Sequence, residues 1–107
     1  MDNSAHVVVL VTAKDVAEAQ KIAGGLLEAK LIACANLVLE VQSFFWWQGK
    51  IDKANEVLLV LKTQASLVEM VTAKVKSLHS YDVPEVIALP IIAGNKDYLN
   101  WINESVK

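Results

Sequence analysis

From residue 43 to residue 50 the chain reads Ser-Phe-Phe-Trp-Trp-Gln-Gly-Lys, with four consecutive aromatic residues ahead of a turn signal. Successive side chains of a strand point to opposite faces, so Phe45 and Trp47 face one side while Phe44 and Trp46 face the other. A chain of 107 residues is too small to cover both faces of such a strand. The segment therefore predicts that another copy of the chain buries the second face, with Phe44, Trp46 and Trp47 at the interface.

The neighbouring residues extend this segment into a long hairpin. Gln48-Gly49 predicts a tight turn, since glycine tolerates the positive φ that such turns need. The pattern predicts one strand from about Ile32 to Trp47 and a second from about Lys50 to Thr63. In the first strand one face is expected to carry Leu37, Leu39, Val41, Phe45 and Trp47, and the other Asn36, Glu40 and Gln42.

The first part of the chain predicts a strand and a helix. The β-branched run from His6 to Thr12 is typical of a central strand buried on both faces. Asp15 and Glu18 form a plausible capping pair for a helix that continues to about Lys30. The glycine pair at 24–25 inside this helix indicates either close packing of another backbone or a break in the helix.

The last part predicts a helix, a strand and a further helix. Ser66 and Glu69 suggest a second capping box, opening a helix that ends near His79. A strand over 85–92 contains Pro90, which favours a sheet edge or a bulge, and a short helix follows over 95–107 with Trp101 as a further interface residue. The order β-α-β-β-α-β predicts one α+β domain over 1–107, a ferredoxin-like split βαβ unit with both helices on one sheet face. The opposite face is apolar and bare, which again predicts an oligomer.

Composition limits the function. The chain has 54% hydrophobic residues, a net charge of −2 and ten basic residues, all of them Lys. Without the planar fork of Arg, recognition of nucleic acid is disfavoured. No apolar run is long enough to span a membrane, and the polar N-terminus at 1–6 does not read as a secretory signal. A single cysteine fits a reducing compartment, so we expect a cytoplasmic protein.

Cys34 and His79 are the candidate metal ligands. Cys34 shares parity with Asn36 and Val38, which places it on the face away from the helices unless a bulge intervenes. It is either a small buried hydrophobe or a soft ligand for copper or another transition metal, completed by neighbouring subunits. His79 stands at a helix end near Tyr81 and Glu85, where it either complements the helix dipole or serves as a ligand or proton carrier.

Glu56 and Lys62 share parity on the second hairpin strand. They either form a solvated strand edge or line a cleft between subunits. The aromatic residues indicate interface anchors rather than a base-stacking platform, because no basic groove accompanies them. No set of nucleophile, base and orienting group is visible, and no glycine-rich phosphate loop, so an enzyme is not expected.

Taken together, these residues resemble a CutA divalent-cation tolerance protein over nearly the whole chain, from Val11 to Ile102. The resemblance depends on motifs spread along the sequence. They are Ala33-Cys34-Ala35-Asn36, the run over 43–50 that begins with Ser43, Glu56, Lys62-Thr63, His79 with Tyr81, Pro84-Glu85, and Tyr98-Leu99 with Trp101. This chain departs from the family pattern at Val11, where some members carry a second cysteine, and at Lys14, Phe45 and Ser80. A proline is expected at position 80.

The resemblance implies a ferredoxin-like subunit in a tight homotrimer, whose hairpins extend sheets across subunit boundaries. It also implies copper and heavy-metal tolerance, with copper bound through Cys34 and His79. Such a trimer is similar in architecture to PII-type signalling proteins, which bind small effectors between subunits. The second hypothesis is therefore a regulator with an intersubunit cleft lined by Glu56, Lys62 and Tyr81 together with His79 and Glu85. An RNA-binding module on the same element order is a distant third.

Overall fold

In the computed structural model, residues 5–107 form a four-stranded antiparallel sheet in the order β2-β3-β1-β4. The strands are β1 (His6–Ala13), β2 (Cys34–Trp47), β3 (Lys50–Gln64) and β4 (Val86–Pro90), and the helices are α1 (Val16–Glu28), α2 (Val68–Leu78) and α3 (Lys96–Ser105). The predicted ferredoxin-like α+β fold, with its long β2–β3 hairpin and C-terminal helix, is confirmed. The polar segment at 1–4 lies outside the described residues.

The core lies between the sheet and the helices α1 and α2. In β1 and β3, Val9 is paired with Leu61 and Val11 with Leu59, and all four side chains are fully buried. The helices cover them with four further side chains that are also fully buried, namely Ile22, Leu26, Val71 and Val75. The alternation of buried and half-buried residues along β1 is the period-two pattern of a strand with one face against the core.

Helix α1 begins as the sequence predicts. The Asp15 side chain accepts a hydrogen bond of 2.8 Å from the Glu18 amide, so Asp15 is confirmed as the N-cap, whereas the Glu18 carboxylate accepts from the Lys14 amide rather than from that of Asp15. The helix continues through Gly24 and Gly25 without a break. A Cβ at Gly25 would lie 2.8 Å from Leu78 Cδ1, so the close neighbour is a side chain of α2 rather than the predicted backbone.

The predicted second capping box is wrong. Ser66 lies in a short 3-10 turn, Ala65–Leu67, and α2 begins only at Val68 with no side chain capping it. The side chain of Leu67 is buried in the core, whereas Ser66 is exposed. Burial of Leu67 therefore fixes how the chain turns after β3, and local capping preference does not decide it.

A β-bulge interrupts β2. Val38 stands opposite Leu58 and Val41 opposite Glu56, so two residues, Leu39 and Glu40, share one position on β3. The expectation that Leu37 lies on the same face as Val41 and the later odd-numbered residues is wrong, because the extra residue reverses the alternation. The opposite facing of neighbouring aromatic residues beyond the bulge is confirmed by their register with β3.

The hairpin turn and the edge strand agree with the sequence. Gln48 and Gly49 both have positive φ, at 50° and 78°, as in the two-residue turns that match the twist of a hairpin. Pro90 ends β4, which is an edge strand as predicted. None of the helices between residues 5 and 107 is long and apolar enough to cross a membrane.

The second sheet face is only partly bare. Asn103 Oδ1 of α3 accepts a hydrogen bond of 2.9 Å from Gln64 Nε2 and lies 2.8 Å from His6 Nε2, while Ile102 is fully buried. Helix α3 therefore covers the end of this face where His6 and Gln64 pair. The other end, which carries the hairpin, stays uncovered.

Candidate functional site

The base of the hairpin is where polar side chains converge. Strand β1 ends at Ala13, which pairs with Val57, and β3 extends beyond it toward the hairpin turn. Glu56 is the first β3 residue without a β1 partner. The loop over 79–85, between α2 and β4, approaches this point, because its residues bond to the ends of β1 and β3.

The His79 side chain lies at this junction. Its side chain is fully buried, with Nε2 2.7 Å from the Thr12 carbonyl oxygen and Nδ1 accepting a hydrogen bond of 3.0 Å from the Tyr81 amide. A carbonyl can only accept and an amide can only donate, so these partners assign a neutral imidazole with its hydrogen on Nε2. Both ring nitrogens are thus occupied by the protein itself.

Glu18 ties α1 to the same loop. Its carboxylate accepts hydrogen bonds from the amides of Lys14, at 3.1 Å, and Ser80, at 2.9 Å, and lies 3.7 Å from His79 Nδ1. Burial by itself would raise the pKa of the Glu18 carboxyl, but the hydrogen bonds from Ser80 and Lys14 outweigh it and hold that pKa below its usual value. The sequence indicated only the capping role of Glu18.

Glu56 and Tyr81 meet on the other side of the loop. The Tyr81 hydroxyl donates a hydrogen bond of 2.8 Å to Glu56 Oε2, and Glu56 is only 8% exposed. Burial, and then the hydrogen bond to the Glu56 carboxylate, raise the pKa of Tyr81 to about 12. Of the two readings of Glu56, the solvated strand edge is therefore wrong.

A cavity of about 700 Å³ opens beside this pair. Phe45, Trp47 and Tyr81 contribute aromatic surface to it, and its carboxylates are those of Asp52, Glu56, Asp82 and Glu85. Three of the predicted cleft residues, Glu56, Tyr81 and Glu85, thus lie together. Asp52 and Asp82 were missed by sequence reasoning, since nothing in their local pattern separates them from ordinary surface charges.

Lys62 lies elsewhere. Its ammonium group bonds to Asn36 Oδ1 and stands 4.0 Å from Cys34 Sγ. Glu56 and Lys62 are six residues apart on one strand, which is about 20 Å at 3.3 Å per residue. Glu56 and Lys62 therefore do not meet within one subunit, because parity indicates a common face but not proximity, and their predicted cleft between subunits stays a prediction.

Cys34 lies on the face away from α1 and α2, where it pairs with Lys62. The thiol is free and the residue half-buried. The Tyr98 hydroxyl of α3 is adjacent, and burial together with Cys34 raises the pKa of Tyr98. Cys34, Lys62, Asn36 and Tyr98 thus form a small polar group, called here the thiol cluster.

The structure does not bring Cys34 and His79 together within one subunit. Cys34 pairs with Lys62, which is opposite Val8 of β1, whereas His79 bonds to Thr12. Val8 and Thr12 are four positions apart, which corresponds to about 13 Å of strand. Among residues 5–107 no three or more His, Cys, Asp or Glu side chains form a group that could hold a metal ion.

The predicted interface residues are all accessible in the single subunit. Phe44 is 67%, Trp46 74% and Trp47 60% exposed. Trp101 is partly exposed on α3 and packs against Tyr98, with ring centroids 5.4 Å apart. Apolar surface of this extent on a small chain is typical of interaction sites.

Comparison with known proteins gives matches over almost the whole chain. The family model of the CutA1 divalent ion tolerance protein matches residues 7–105. The divalent-cation tolerance protein CutA of Archaeoglobus fulgidus is 43% identical, over 95% of this chain and 99% of its own length. The chloroplastic protein CutA 1 of Oryza sativa is 45% identical over 94% of this chain, and the chain spans 57% of the length of that protein.

Solved structures agree with the sequence matches. The structure of the A. fulgidus protein, described as periplasmic, superposes with a TM-score of 0.93 over 95% of this chain and 99% of that one. CutA of Pyrococcus horikoshii, solved in the presence of 3M guanidine hydrochloride, is 42% identical with a TM-score of 0.89, over 94% of this chain and 99% of that one. The fold, the spread of the matched residues and these identities agree, and the chain belongs to the CutA1 divalent ion tolerance protein family.

Proposed function

We propose that this protein acts as a homotrimer in divalent-cation tolerance and binds copper or another heavy-metal ion through Cys34. The observation that carries the proposal is the free, half-buried thiol of Cys34 on the sheet face away from α1 and α2. A thiol is a soft donor suited to copper. One thiol does not complete a site, and copies related by symmetry could supply the remaining donors.

His79 is the second proposed ligand, and its surroundings restrict how it could act. To bind a metal ion it must release either the Thr12 carbonyl or the Tyr81 amide, since both ring nitrogens are engaged. We therefore expect the loss of Cys34 to reduce copper affinity strongly and the loss of His79 to reduce it less. Replacement of His79 should also lower the melting temperature.

The test is a competition titration of the purified protein with Cu(I) against a coloured chelator under anaerobic conditions. The wild type is compared with Cys34→Ser, His79→Gln and, as a matched control, Glu69→Gln, which changes an exposed charge on α2. We expect Cys34→Ser to lose at least tenfold in affinity, about 1.4 kcal/mol. Unchanged affinity in both the cysteine and the histidine variants would remove the proposed metal site.

The homotrimer is supported by the uncovered hairpin. Its aromatic side chains project beyond the core, and both β2 and β4 are edge strands within the subunit. Exposed edges of this kind are normally blocked or paired with another chain. Packing of the hairpin on a second and third copy would cover the aromatic faces and the edges together.

A second candidate function is sensing of a small molecule in a cleft between subunits. The cavity of about 700 Å³ beside Glu56 and Tyr81 favours it, because ligand pockets of this size commonly combine apolar walls with a few placed polar groups. A thermal-shift screen of nucleotides, carboxylates and amines tests this function, since a bound molecule raises the melting temperature. The absence of any shift would leave metal binding as the sole candidate.

We further propose a binding protein rather than an enzyme, located in the cytoplasm and without nucleic-acid partners. The lone cysteine supports the location, and the lack of Arg supports the absence of nucleic-acid partners. The rice relative is named chloroplastic and the A. fulgidus protein periplasmic, so location differs among relatives. Fractionation of the source cells with an antibody against the protein tests the location.

A further inference from the structure

No further inference is drawn: the strongest candidate, the thiol cluster between β2, β3 and α3, belongs to the metal site already proposed for Cys34, and no second observation among the described residues identifies a different ligand or reactant for that lone thiol.

Discussion

At the scale of single residues, two glutamates hold the loop over 79–85 in place. Glu18 accepts from the Ser80 amide and Glu56 from the Tyr81 hydroxyl. The family pattern leads one to expect proline at position 80, and proline has no amide hydrogen to donate. Ser80 gives this chain a hydrogen bond that a proline at this position could not form.

Glu18 makes the folded protein sensitive to acid. Because its pKa is lowered from 4.5 in the folded state, Glu18 stabilises the protein above that pH, and the contribution is lost as the pH falls through the lowered value. Glu18→Gln should therefore unfold more readily near neutral pH and lose less stability on acidification. Denaturant titrations over this pH range measure both effects, with the exposed Glu28→Gln of α1 as control. Parallel pH profiles in the wild type and Glu18→Gln would contradict the assignment.

Tyr81 makes the stability of the folded protein sensitive to alkali. Its pKa is raised from 10.0 to about 12, so the stability that it contributes is complete below pH 10 and is lost as the pH rises through 12. Tyr81→Phe should lower the free energy of unfolding at neutral pH by about 1–3 kcal/mol, since it leaves the Glu56 carboxylate without its donor. The stability of Tyr81→Phe should then fall less steeply in alkali than that of the wild type.

The absorbance of the phenolate as a function of pH measures the ionisation of Tyr81 directly. One tyrosine should ionise near pH 12 in the wild type, and Glu56→Gln should move that ionisation toward 10 because the carboxylate is removed. An unchanged titration in the glutamine variant would mean that burial alone raises the pKa.

At the scale of elements, the local sequence pattern predicted the features that depend on neighbouring residues alone. The strand, helix and hairpin spans follow from periodicity, and the turn at 48–49 from glycine. The bulge at Leu39 and Glu40 could not be predicted, because neither residue type nor alternation marks an extra residue in a strand. The start of α2 was misplaced because burial of Leu67 outweighed the capping preference of Ser66.

The same limit applies to the candidate site. The motifs predicted Glu56, Tyr81 and Glu85 as cleft residues, and the structure places the three beside one cavity. Their grouping depends on how the loop over 79–85 meets the end of β1, which is a property of the whole fold. Glu18 and Ser80, 62 positions apart, illustrate why: no local window contains both.

The two glycines of α1 provide a matched pair for testing helix packing. A Cβ at Gly24 would meet nothing within 4 Å, so Gly24→Ala should stabilise the protein by about 0.5–1 kcal/mol through helix propensity. A Cβ at Gly25 would lie 2.8 Å from Leu78 Cδ1, so Gly25→Ala must displace that side chain. We expect the two variants to differ by about 1–2 kcal/mol in chemical denaturation. Equal stabilities would show that α1 and α2 are not closely packed at Gly25.

At the scale of the whole molecule, we expect the proposed trimer to determine the stability of the protein. Its interfaces would bury side chains that the single subunit leaves exposed, so folding and association should be coupled. We therefore expect high resistance to heat and denaturant.

Trp46 is the residue with which to test the assembly. It is 74% exposed in the subunit, and Trp46→Ala should lower the melting temperature and shift the mass distribution toward smaller species. Met70→Ala, which truncates an exposed apolar side chain on α2, is the matched control. Native mass spectrometry and analytical ultracentrifugation measure the assembly. A folded, soluble single subunit at micromolar concentration would exclude an obligate trimer.

The extra residue in β2 affects the direction in which the hairpin extends. Deleting Leu39 or Glu40 would keep each later residue opposite its present partner, so the aromatic faces would survive, but the bend that the bulge gives the strand would be lost. Identical copies close into a ring only when each is rotated by the correct angle relative to the last. A hairpin with the same aromatic faces but a different direction would miss that angle, so we expect the bulge at Leu39 and Glu40 to determine whether the proposed homotrimer closes.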